Sequence, residues 1–230
     1  MTPEYLLELK KSLKISVDQI LREEAEMIFL EALAKDQLGA KVIFYGGTSL
    51  RLVYGSPRFS EDIDLIKIKP FSLAEFKKFA NKVAKNNSWE LRDLRGKRQT
   101  LFALYFIKDE KLKHPFSIKI EIHTPKKKPM IDEKIALIKS PVSVLEPLLL
   151  VPSLTKLKEL KIAALLDRKK ARDIFDLWYI AQTLREEFVL PKKITPYNKR
   201  EFKNELQVFL PTKYYSIIEQ LYEQVANSNK

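Results

Sequence analysis

Two aspartates one residue apart follow a pair of glycines in the segment IFYGGTSLRLVYGSPRFSEDIDL, residues 43–65. If the end of this segment is a β-strand, Asp62 and Asp64 point to the same side of it, because strand side chains alternate. Two like charges on one face repel each other unless a cation lies between them. The spacing therefore predicts that the pair binds either a lysine or arginine side chain or a metal ion.

Paired carboxylates of this kind suit the metal-dependent transfer of a phosphoryl or nucleotidyl group. Such a site needs carboxylates for one or two Mg²⁺ (or Mn²⁺) ions, which bridge phosphate oxygens and activate the attacking hydroxyl. It also needs a place for a triphosphate. Gly46 and Gly47, leading into a helix, would supply backbone N–H groups and the positive end of a helix dipole. Glu121, on the polar face of a later strand, is the candidate for a third carboxylate.

These residues need a sheet and helices around them, and the apolar pattern predicts both. Helix is predicted over residues 3–36, where Ser16 and Gln19 can form a capping box. The segment 116–124 alternates strictly, which predicts a strand with Glu121 on its polar face. Further strands are predicted over 41–45, 62–68 and 100–107, and further helices over 48–54 and 72–86.

The second half of the chain has a different pattern. Residues 141–152 contain three prolines and few charges, which predicts a connection. Helices are then predicted over 153–166, 170–186, 198–209 and 213–227. We therefore expect an α/β domain with N-terminal helices over 1–140, a connection over 141–152, and a helical domain over 153–230 that completes a cleft.

Composition excludes several classes of protein. The 230 residues contain no cysteine, which rules out a disulfide framework and a cysteine-ligated zinc or iron–sulfur site. No apolar run approaches the roughly 18 residues of a membrane span, and the N-terminal segment has the pattern of an amphipathic helix rather than a signal peptide. We therefore expect a cytoplasmic protein without membrane contact. The formal net charge of +12 favours a polyanionic partner, or else reflects a lysine-rich solvated surface.

The glycine turn and the aspartate pair together resemble a known fold. The order Tyr45, Gly46, Gly47, fourteen residues and then Asp62–Ile63–Asp64 resembles the nucleotidyltransferase fold of the DNA polymerase β superfamily. The stretches GGTSLRLVYG, RFSEDIDL and LKIAALLDRKKARDIFDLW together resemble the AbiEii/AbiGii toxin family, which includes the MenT toxins. This resemblance covers about residues 40–180. It implies an α+β fold, with a mixed nucleotidyltransferase sheet and flanking helices followed by a C-terminal helical domain.

The resemblance implies catalytic roles for residues at matching positions. Asp62 and Asp64 would be metal ligands, and Lys161 would contact the phosphates of the nucleotide as a point charge. Asp173 matches the acidic residue of the family's RDxxD signature and would complete the catalytic set. Alternatively, Asp173 and Asp176 are structural acids in the first turn of a helix, where the helix dipole favours them.

The residues around the glycine turn are expected to bind the nucleotide. The resemblance implies that Gly47 and Thr48 line the phosphate site, with Ser49 as a hydroxyl donor. Arg58 is either a cation beside the triphosphate or an ion-pair partner for a neighbouring acid. Ser60 either hydrogen-bonds the loop backbone or is a modification site, where a phosphoryl group held by Arg58 would repel the NTP. The nucleotide-binding set is therefore Gly46, Gly47, Thr48, Ser49, Arg58 and Ser60.

A basic segment follows the predicted connection. Residues 156–172 hold seven Lys or Arg against two acids, a local net charge of +5. We expect this segment to line the cleft, with Arg168, Lys169 and Arg172 contacting the backbone of an RNA acceptor. The alternative is a solvated basic helix face on which Lys161 would be exposed.

Together these features predict a metal-dependent nucleotidyltransferase that moves a nucleoside monophosphate from an NTP to an acceptor. The resemblance and the positive charge favour RNA, and tRNA in particular, as the acceptor. The resemblance also implies the toxin of a toxin–antitoxin pair whose antitoxin is a separate protein. The alternatives are a non-catalytic nucleotide- or RNA-binding module and a small-molecule enzyme such as an antibiotic nucleotidyltransferase. The intact Asp62–Asp64 pair argues against the first, and the +12 charge argues against the second, whose substrates are cationic.

Overall fold

Two β-sheets are present in the computed structural model, which describes residues 2–127, 129–191 and 197–227. The predicted helical domain includes residues 192–196 and 228–230, which lie outside the described ranges. The strands in the described ranges are β1 (Val42–Tyr45), β2 (Asp62–Lys67), β3 (Glu90–Lys97), β4 (Thr100–Ile107), β5 (Phe116–His123), β6 (Glu133–Leu137) and β7 (Leu148–Pro152).

The larger sheet has five strands in the order β1–β2–β5–β4–β3. Strands β2 and β5 run parallel, and every other neighbouring pair in this sheet is antiparallel. The parallel pairing places Asp64 opposite Glu121 in the register. The smaller sheet pairs β6 with β7. The mixed sheet confirms the predicted α+β class.

The helices flank the sheet in the first half and form a bundle in the second. They are α1 (Pro3–Leu13), α2 (Val17–Ala34), α3 (Gly46–Tyr54), α4 (Leu73–Asn87), α5 (Leu154–Arg168), α6 (Ala171–Leu184), α7 (Lys199–Phe209) and α8 (Tyr215–Asn227). None of the helices in the described ranges combines the length and apolar composition that a membrane span needs.

The single helix predicted over residues 3–36 is two helices. Lys14 adopts the left-handed conformation (φ 56°) that ends α1. Ser16 then begins α2 with the predicted capping box, because its side chain accepts from the Gln19 N–H while the Gln19 side chain accepts from the Ser16 N–H. The predicted capping box at the start of α2 is therefore confirmed, and the prediction of one continuous helix is wrong because α1 ends at Leu13.

One face of the large sheet is covered and the other carries polar groups. Alternate residues of β2, β4 and β5, such as Ile63, Tyr105 and Ile118, are fully buried in a core shared with α2 and α4. Tyr105 donates its hydroxyl proton to the Ala80 carbonyl of α4 at 3.1 Å, which fixes this helix on the covered face. The residues that alternate with these along each strand, including Asp64, point to the opposite face, which we call the open face of the sheet.

The helical half packs against α3. Leu50 of α3 shares an apolar cluster with Leu157 of α5 and Ile180 of α6. Tyr179 donates to the Tyr54 carbonyl at 2.7 Å, across the same contact. These contacts hold the N-terminal half of α5 and the C-terminal half of α6 against α3, the helix that begins at the glycine turn.

Three strands were not predicted. The sequence of β3, ELRDLRGK, is charged and mostly exposed, because β3 is the edge strand and only Leu91 and Leu94 pack on the core. The connection predicted over 141–152 is wrong in its second half, where β7 forms. Strand β7 pairs with β6, and its buried Val151 packs in the main core. Its flanking prolines lie at the end of the strand or outside it, where they interrupt no ladder.

Candidate active site

Three carboxylates, those of Asp62, Asp64 and Glu121, lie side by side on the open face of the sheet, and we call them the acidic row. Asp62 and Asp64 lie on the same side of β2, as predicted, and Glu121 of β5 lies opposite Asp64 in the register. Lys119, which sequence analysis did not select, places its Nζ 2.8 Å from Asp62 Oδ2 and 3.7 Å from Glu121 Oε2. Lys119 therefore supplies one cation to the row, at Asp62 and Glu121. Its position two residues before Glu121, on the same face of a strand, is the signal that could have identified it.

The acidic row carries more negative charge than Lys119 compensates. Burial, and then the charge of Asp62, raises the pKa of Asp64 to about 6. Burial, followed by the charges of Asp64 and Glu121, also raises the pKa of the neighbouring Tyr45 hydroxyl. Burial lowers the pKa of Lys119, but its hydrogen bond to Asp62 and the surrounding carboxylates raise it more. An additional cation at this row would relieve the repulsion around Asp64.

The donor set of this row suits a hard divalent cation. Carboxylate oxygens are the ligands that Mg²⁺ and Mn²⁺ prefer. No group of three His, Cys, Asp or Glu residues in the described ranges is arranged to hold a metal ion. The Lys119 ammonium lies between Asp62 and Glu121 instead. Asp62 and Asp64 fit as the ligands of a metal, and Glu121 would join them if Lys119 moved.

The glycine turn is shaped around the carboxylate of Asp64. Gly46 has a φ of +86°, and a Cβ atom there would overlap the Asp64 carboxylate. At Gly47 a Cβ would overlap the Arg58 guanidinium and lie 2.7 Å from Ser60 Oγ. Both glycines are therefore needed because the backbone passes directly against side chains of the site.

The first turn of α3 contacts the beginning of β2 through the Thr48 side chain. Tyr45 is the N-cap of α3 and makes no side-chain cap hydrogen bond. Thr48 is fully buried and donates its hydroxyl proton to the Asp62 carbonyl at 2.5 Å, which fixes the beginning of β2. Ser49 is also fully buried, and its Oγ has no hydrogen-bond partner among the described residues. Thr48, which the resemblance assigns to the phosphate site, thus also holds the beginning of β2 in place.

A buried ion network lies beside the glycine turn. Arg58 donates to both oxygens of Asp176, from Nε at 2.6 Å and Nη2 at 2.8 Å. Lys161 Nζ lies 2.6 Å from Asp176 Oδ2 and 3.2 Å from Asp173 Oδ1. Arg168 donates to both oxygens of Asp173 at 2.8 Å. The five side chains alternate in charge, and the network joins the loop before β2 to α5 and α6.

The cations of the network keep both of its acids ionised. Burial alone would raise the pKa of Asp176, but the charges of Arg58 and Lys161 lower it to about 2. Burial likewise opposes ionisation of Asp173, and the hydrogen bond from Arg168 together with the charge of Lys161 lowers its pKa. The structure thus places Asp173 and Asp176 in the role of partners that hold cations in fixed positions.

Lys161 and Arg168 face the acidic row. The charge of Lys161 lowers the pKa of Asp64, and the charge of Arg168 lowers that of Tyr45. Lys161 is 6% exposed, so it does not lie on a solvated basic face. Carboxylates on the sheet and cations on α5 therefore form one site on the two sides of the glycine turn.

The other predicted residues lie at the edge of this site. Arg58 is 2% exposed and pairs with Asp176, a partner that lies 118 residues away and that sequence analysis did not consider. Ser60 lies in the loop before β2, beside Gly47 and Arg58, rather than on a longer strand. Lys169 ends α5 and Arg172 lies in the first turn of α6, each over an aromatic ring of the helical half.

Comparisons with known proteins agree with this geometry. The family model described as nucleotidyl transferase AbiEii toxin, type IV toxin–antitoxin system, matches residues 28–211. A comparison with curated proteins finds no match. A structure from H. pylori described as a candidate nucleotidyltransferase is similar with a TM-score of 0.58 and 17% identity, over 93% of this chain and 98% of that one. JHP933 from Helicobacter pylori is similar with a TM-score of 0.55 and 16% identity, over 94% and 96%.

The structural likeness, at these low identities, shows the fold alone, and it confirms the predicted nucleotidyltransferase fold. The family model shows more, because it spans the glycine turn, the aspartate pair and the ion network in one alignment. The chain therefore belongs to the AbiEii nucleotidyl transferase toxin family of type IV toxin–antitoxin systems.

Proposed function

We propose that this nucleotidyltransferase moves a nucleoside monophosphate from an NTP to an RNA acceptor, with tRNA favoured. We also propose that it acts as a cytoplasmic toxin whose antitoxin is a separate protein. The observation that carries the proposal is the acidic row of Asp62, Asp64 and Glu121 facing Lys161 and Arg168 across the glycine turn. One side of this site suits a metal ion and the other suits the phosphates of a nucleotide.

The acidic row would hold the metal. Asp62 and Asp64 would bind Mg²⁺ or Mn²⁺, which when bound stabilises the negative charge on the phosphate oxygens and lowers the pKa of the attacking hydroxyl. Lys119 would then give up its contact with Asp62 and turn to Glu121, which it already contacts, or to the substrate. The raised pKa of Asp64 supports this role, because it reports a site that favours added positive charge.

The triphosphate would lie between α3 and the cations of α5. The uncapped first turn of α3, at Gly46 and Gly47, offers backbone N–H groups to phosphate oxygens. Lys161 uses its contacts with Asp173 and Asp176 to hold its ammonium in place, and an ammonium has three protons to donate. The third proton is available for a phosphate oxygen in this arrangement.

The transfer would be a single displacement at the α-phosphorus. The hydroxyl oxygen of the acceptor forms a bond to the α-phosphorus, and the bond from that phosphorus to the oxygen bridging it to the β-phosphate breaks. Pyrophosphate leaves with the electron pair, and Lys161 and Arg168 stabilise its charge. The proton of the hydroxyl passes to a carboxylate of the acidic row, for which Glu121 is the candidate.

The positive charge of the protein supports RNA as the acceptor. The net charge is +12, and Lys169 and Arg172 add exposed or partly exposed charge beside the site. Polyanion binding by such a surface releases counterions and is strong at low salt. A cationic antibiotic would be repelled by the same field.

The test is incubation of the protein with each of the four labelled NTPs, Mg²⁺ or Mn²⁺, and total cellular RNA. We expect one or two of the NTPs to label RNA of tRNA length in a reaction that EDTA stops. Label that appears only in a small molecule supplied in place of RNA would contradict the proposed acceptor. Equal labelling by the Asp62→Ala/Asp64→Ala double variant would contradict the proposed site.

A further inference from the structure

The open face of the sheet does not end at the acidic row. In the register, Asp64 lies opposite Glu121, Glu121 opposite Phe102 of β4, and Phe102 opposite Arg95 of β3. Neighbouring strands are about 4.8 Å apart, so the Phe102 backbone lies about 10 Å from that of Asp64. One row of side chains therefore leads from the catalytic carboxylates to the edge of the sheet.

Three apolar side chains of β4 point to this face. Phe102, Leu104 and Phe106 alternate with Ala103, Tyr105 and Ile107, which are buried in the core. None of the hydrophobic clusters formed by residues in the described ranges includes Phe102, Leu104 or Phe106. Helix α4, and α2 through its Phe29, contact β4 at Tyr105 on the opposite face of the sheet. The two phenyl rings are thus only partly buried, and the core does not account for them.

Two arginines of the edge strand lie over these rings. Arg92 places its guanidinium carbon 3.2 Å from the centroid of the Phe106 ring, and Arg95 places its own 5.1 Å from that of Phe102. The Arg92 and Arg95 side chains are 45% and 62% exposed, so both guanidinium groups reach solvent. The segment 90–98 carries four Lys or Arg against two acids. On this strand Arg92 pairs with Glu90 at 3.1 Å and Arg95 pairs with Asp93 at 3.4 Å, so the face combines aromatic rings with guanidinium planes rather than with a large positive charge.

We propose that this face, which we call the β4 platform and define by Phe102, Phe106, Arg92 and Arg95, binds the single-stranded end of the RNA acceptor. The inference rests on the proposed function and names the surface that presents the reacting hydroxyl to the acidic row. Unpaired bases stack on aromatic rings and on guanidinium planes, and arginine also binds phosphate. Helix α5 packs with Tyr45 of β1 in one apolar cluster, whereas the platform lies on the other side of the acidic row, beyond β5.

The chemistry of the platform favours RNA that is unpaired. Bases in a duplex are stacked on each other and present no free ring face, whereas a single strand can place its bases on Phe102 and Phe106. The two rings are four residues apart on one strand, which separates them by about 13 Å. A strand whose terminal hydroxyl lies at the acidic row would cross Phe102 first and Phe106 next.

The test measures binding of a single-stranded oligoribonucleotide, with 2-aminopurine near its reacting end, to the full chain without NTP. We expect the wild-type protein to quench the 2-aminopurine fluorescence, because stacking on an aromatic ring quenches it. Phe102→Ala should weaken binding about 5- to 100-fold and remove the quenching. Phe102→Tyr should restore both, and a duplex of the same sequence should bind without quenching.

Matched variants control for the loss of a ring or of a charge elsewhere. Tyr5→Ala removes a tyrosine that is 45% exposed on α1, and Lys82→Gln removes a charge on α4, behind the sheet. Both should bind the oligonucleotide as the wild type does. Phe102→Leu keeps the apolar volume and the fold, so it should lose quenching while its melting temperature stays close to that of the wild type.

The outcomes separate this inference from the proposed function. If the wild type labels and binds RNA while Phe102→Ala and Phe102→Leu bind and quench equally well, the platform is wrong and the RNA acceptor stands. If the wild type neither binds nor labels RNA, both are wrong. Weakened RNA binding in the Phe102 variants, with NTP affinity changed less than about twofold, is the result that the platform predicts.

Discussion

At the residue scale, the site is an arrangement in which opposite charges hold each other at fixed positions. Lys119 lies between Asp62 and Glu121, and Lys161 lies between Asp173 and Asp176. The two lysines differ in burial, since the side chain of Lys161 is 7% exposed while that of Lys119 is 33% exposed. The exposed lysine can therefore move aside for a metal ion at lower cost than the buried one.

Asp64→Asn should abolish transfer and stabilise the metal-free protein. Transfer should fall on the order of 10³-fold, because metal stabilisation of charge is worth several kcal/mol. The pKa of Asp64 is about 6 when folded, above the roughly 3.9 of an unfolded chain, so stability is lost as pH rises from about 4 to about 6. Removing this carboxylate should add about 1–3 kcal/mol to the free energy of unfolding at pH 7.

Urea denaturation without divalent metal measures this gain, and the exposed Asp167→Asn of α5 is the control for the change of residue type. Asp167→Asn should shift stability by less than about 0.5 kcal/mol. An Asp64→Asn variant less stable than the wild type at pH 7 would contradict the view that the acidic row is repulsive without metal.

Asp176→Asn should destabilise the protein, with a pH dependence of the opposite sign. The variant leaves Arg58 and Lys161 buried without their shared carboxylate, which should cost about 3–5 kcal/mol at pH 7. Because the folded pKa of Asp176 is about 2, the wild-type advantage is full above about pH 4 and is lost as pH falls from about 4 to about 2. Denaturation curves at pH 7 and pH 3 measure the difference.

Asp18→Asn is the matched control, since Asp18 forms an ion pair with Arg22 that is partly exposed. Its loss should cost less than about 1 kcal/mol. A cost for Asp176→Asn as small as that for Asp18→Asn would mean that the buried network does not hold the two halves of the site together.

Local patterns in the sequence identify the acidic residues but not all of their partners. Alternation along a strand is local, so it places Asp62, Asp64 and Glu121 on one face without knowledge of the fold. The partnership of Arg58 with Asp176 joins residues 118 positions apart, and only the packing of α6 beside the loop before β2 creates it. Lys119 was missed although its signal was local, because a lysine in a strand is more often a solvated residue.

At the element scale, the turn from β1 into α3 is the part that the site constrains most. Gly46→Ala introduces a Cβ that overlaps the Asp64 carboxylate at a residue with positive φ. We expect a loss of stability above about 1–2 kcal/mol and a loss of transfer of about 100-fold, because the carboxylate must move. Thermal denaturation and NTP turnover measure the two effects.

Gly55→Ala is the control that introduces backbone strain in α3 without an overlap on the Asp64 carboxylate. Gly55 ends α3 with a φ of +76°, and its Cβ would meet only the Tyr179 hydroxyl, at 3.4 Å. This variant should lose about 1–2 kcal/mol of stability with turnover per folded molecule unchanged. Equal losses of turnover in both variants would mean that strain in α3, and not the position of Asp64, explains the effect of Gly46→Ala.

Elements with strong local signals were predicted well, and those defined by their neighbours were not. The predicted strand over 100–107 has the observed bounds, and the capping box of α2 was found because it depends on residues three apart. Strand β3 is charged because one of its faces is solvated, so its pattern resembles a loop until β4 pairs with it. Strands β6 and β7 are short, and within the described ranges they pair with no other strand; they also lie beside prolines that indicate a connection.

At the scale of the whole molecule, neither half of the chain carries a complete site. The acidic row and the glycine turn lie in the first half, and Lys161 and Arg168 lie on α5. The buried pair of Arg58 and Asp176 fixes one half against the other. The β4 platform extends the site across the sheet, so an acceptor would reach the acidic row over aromatic rings and guanidinium groups.

The most direct test of this account is a paired labelling experiment with one NTP carrying label on either the α- or the γ-phosphate. The wild-type protein, its preferred NTP, Mg²⁺ and total RNA are incubated, and label in RNA is measured beside that for Asp64→Asn. The account predicts that the α-label enters RNA, that the γ-label leaves as pyrophosphate, and that Asp64→Asn transfers neither. Transfer of the γ-label to RNA, or α-label transfer that survives in a folded Asp64→Asn protein, would contradict it.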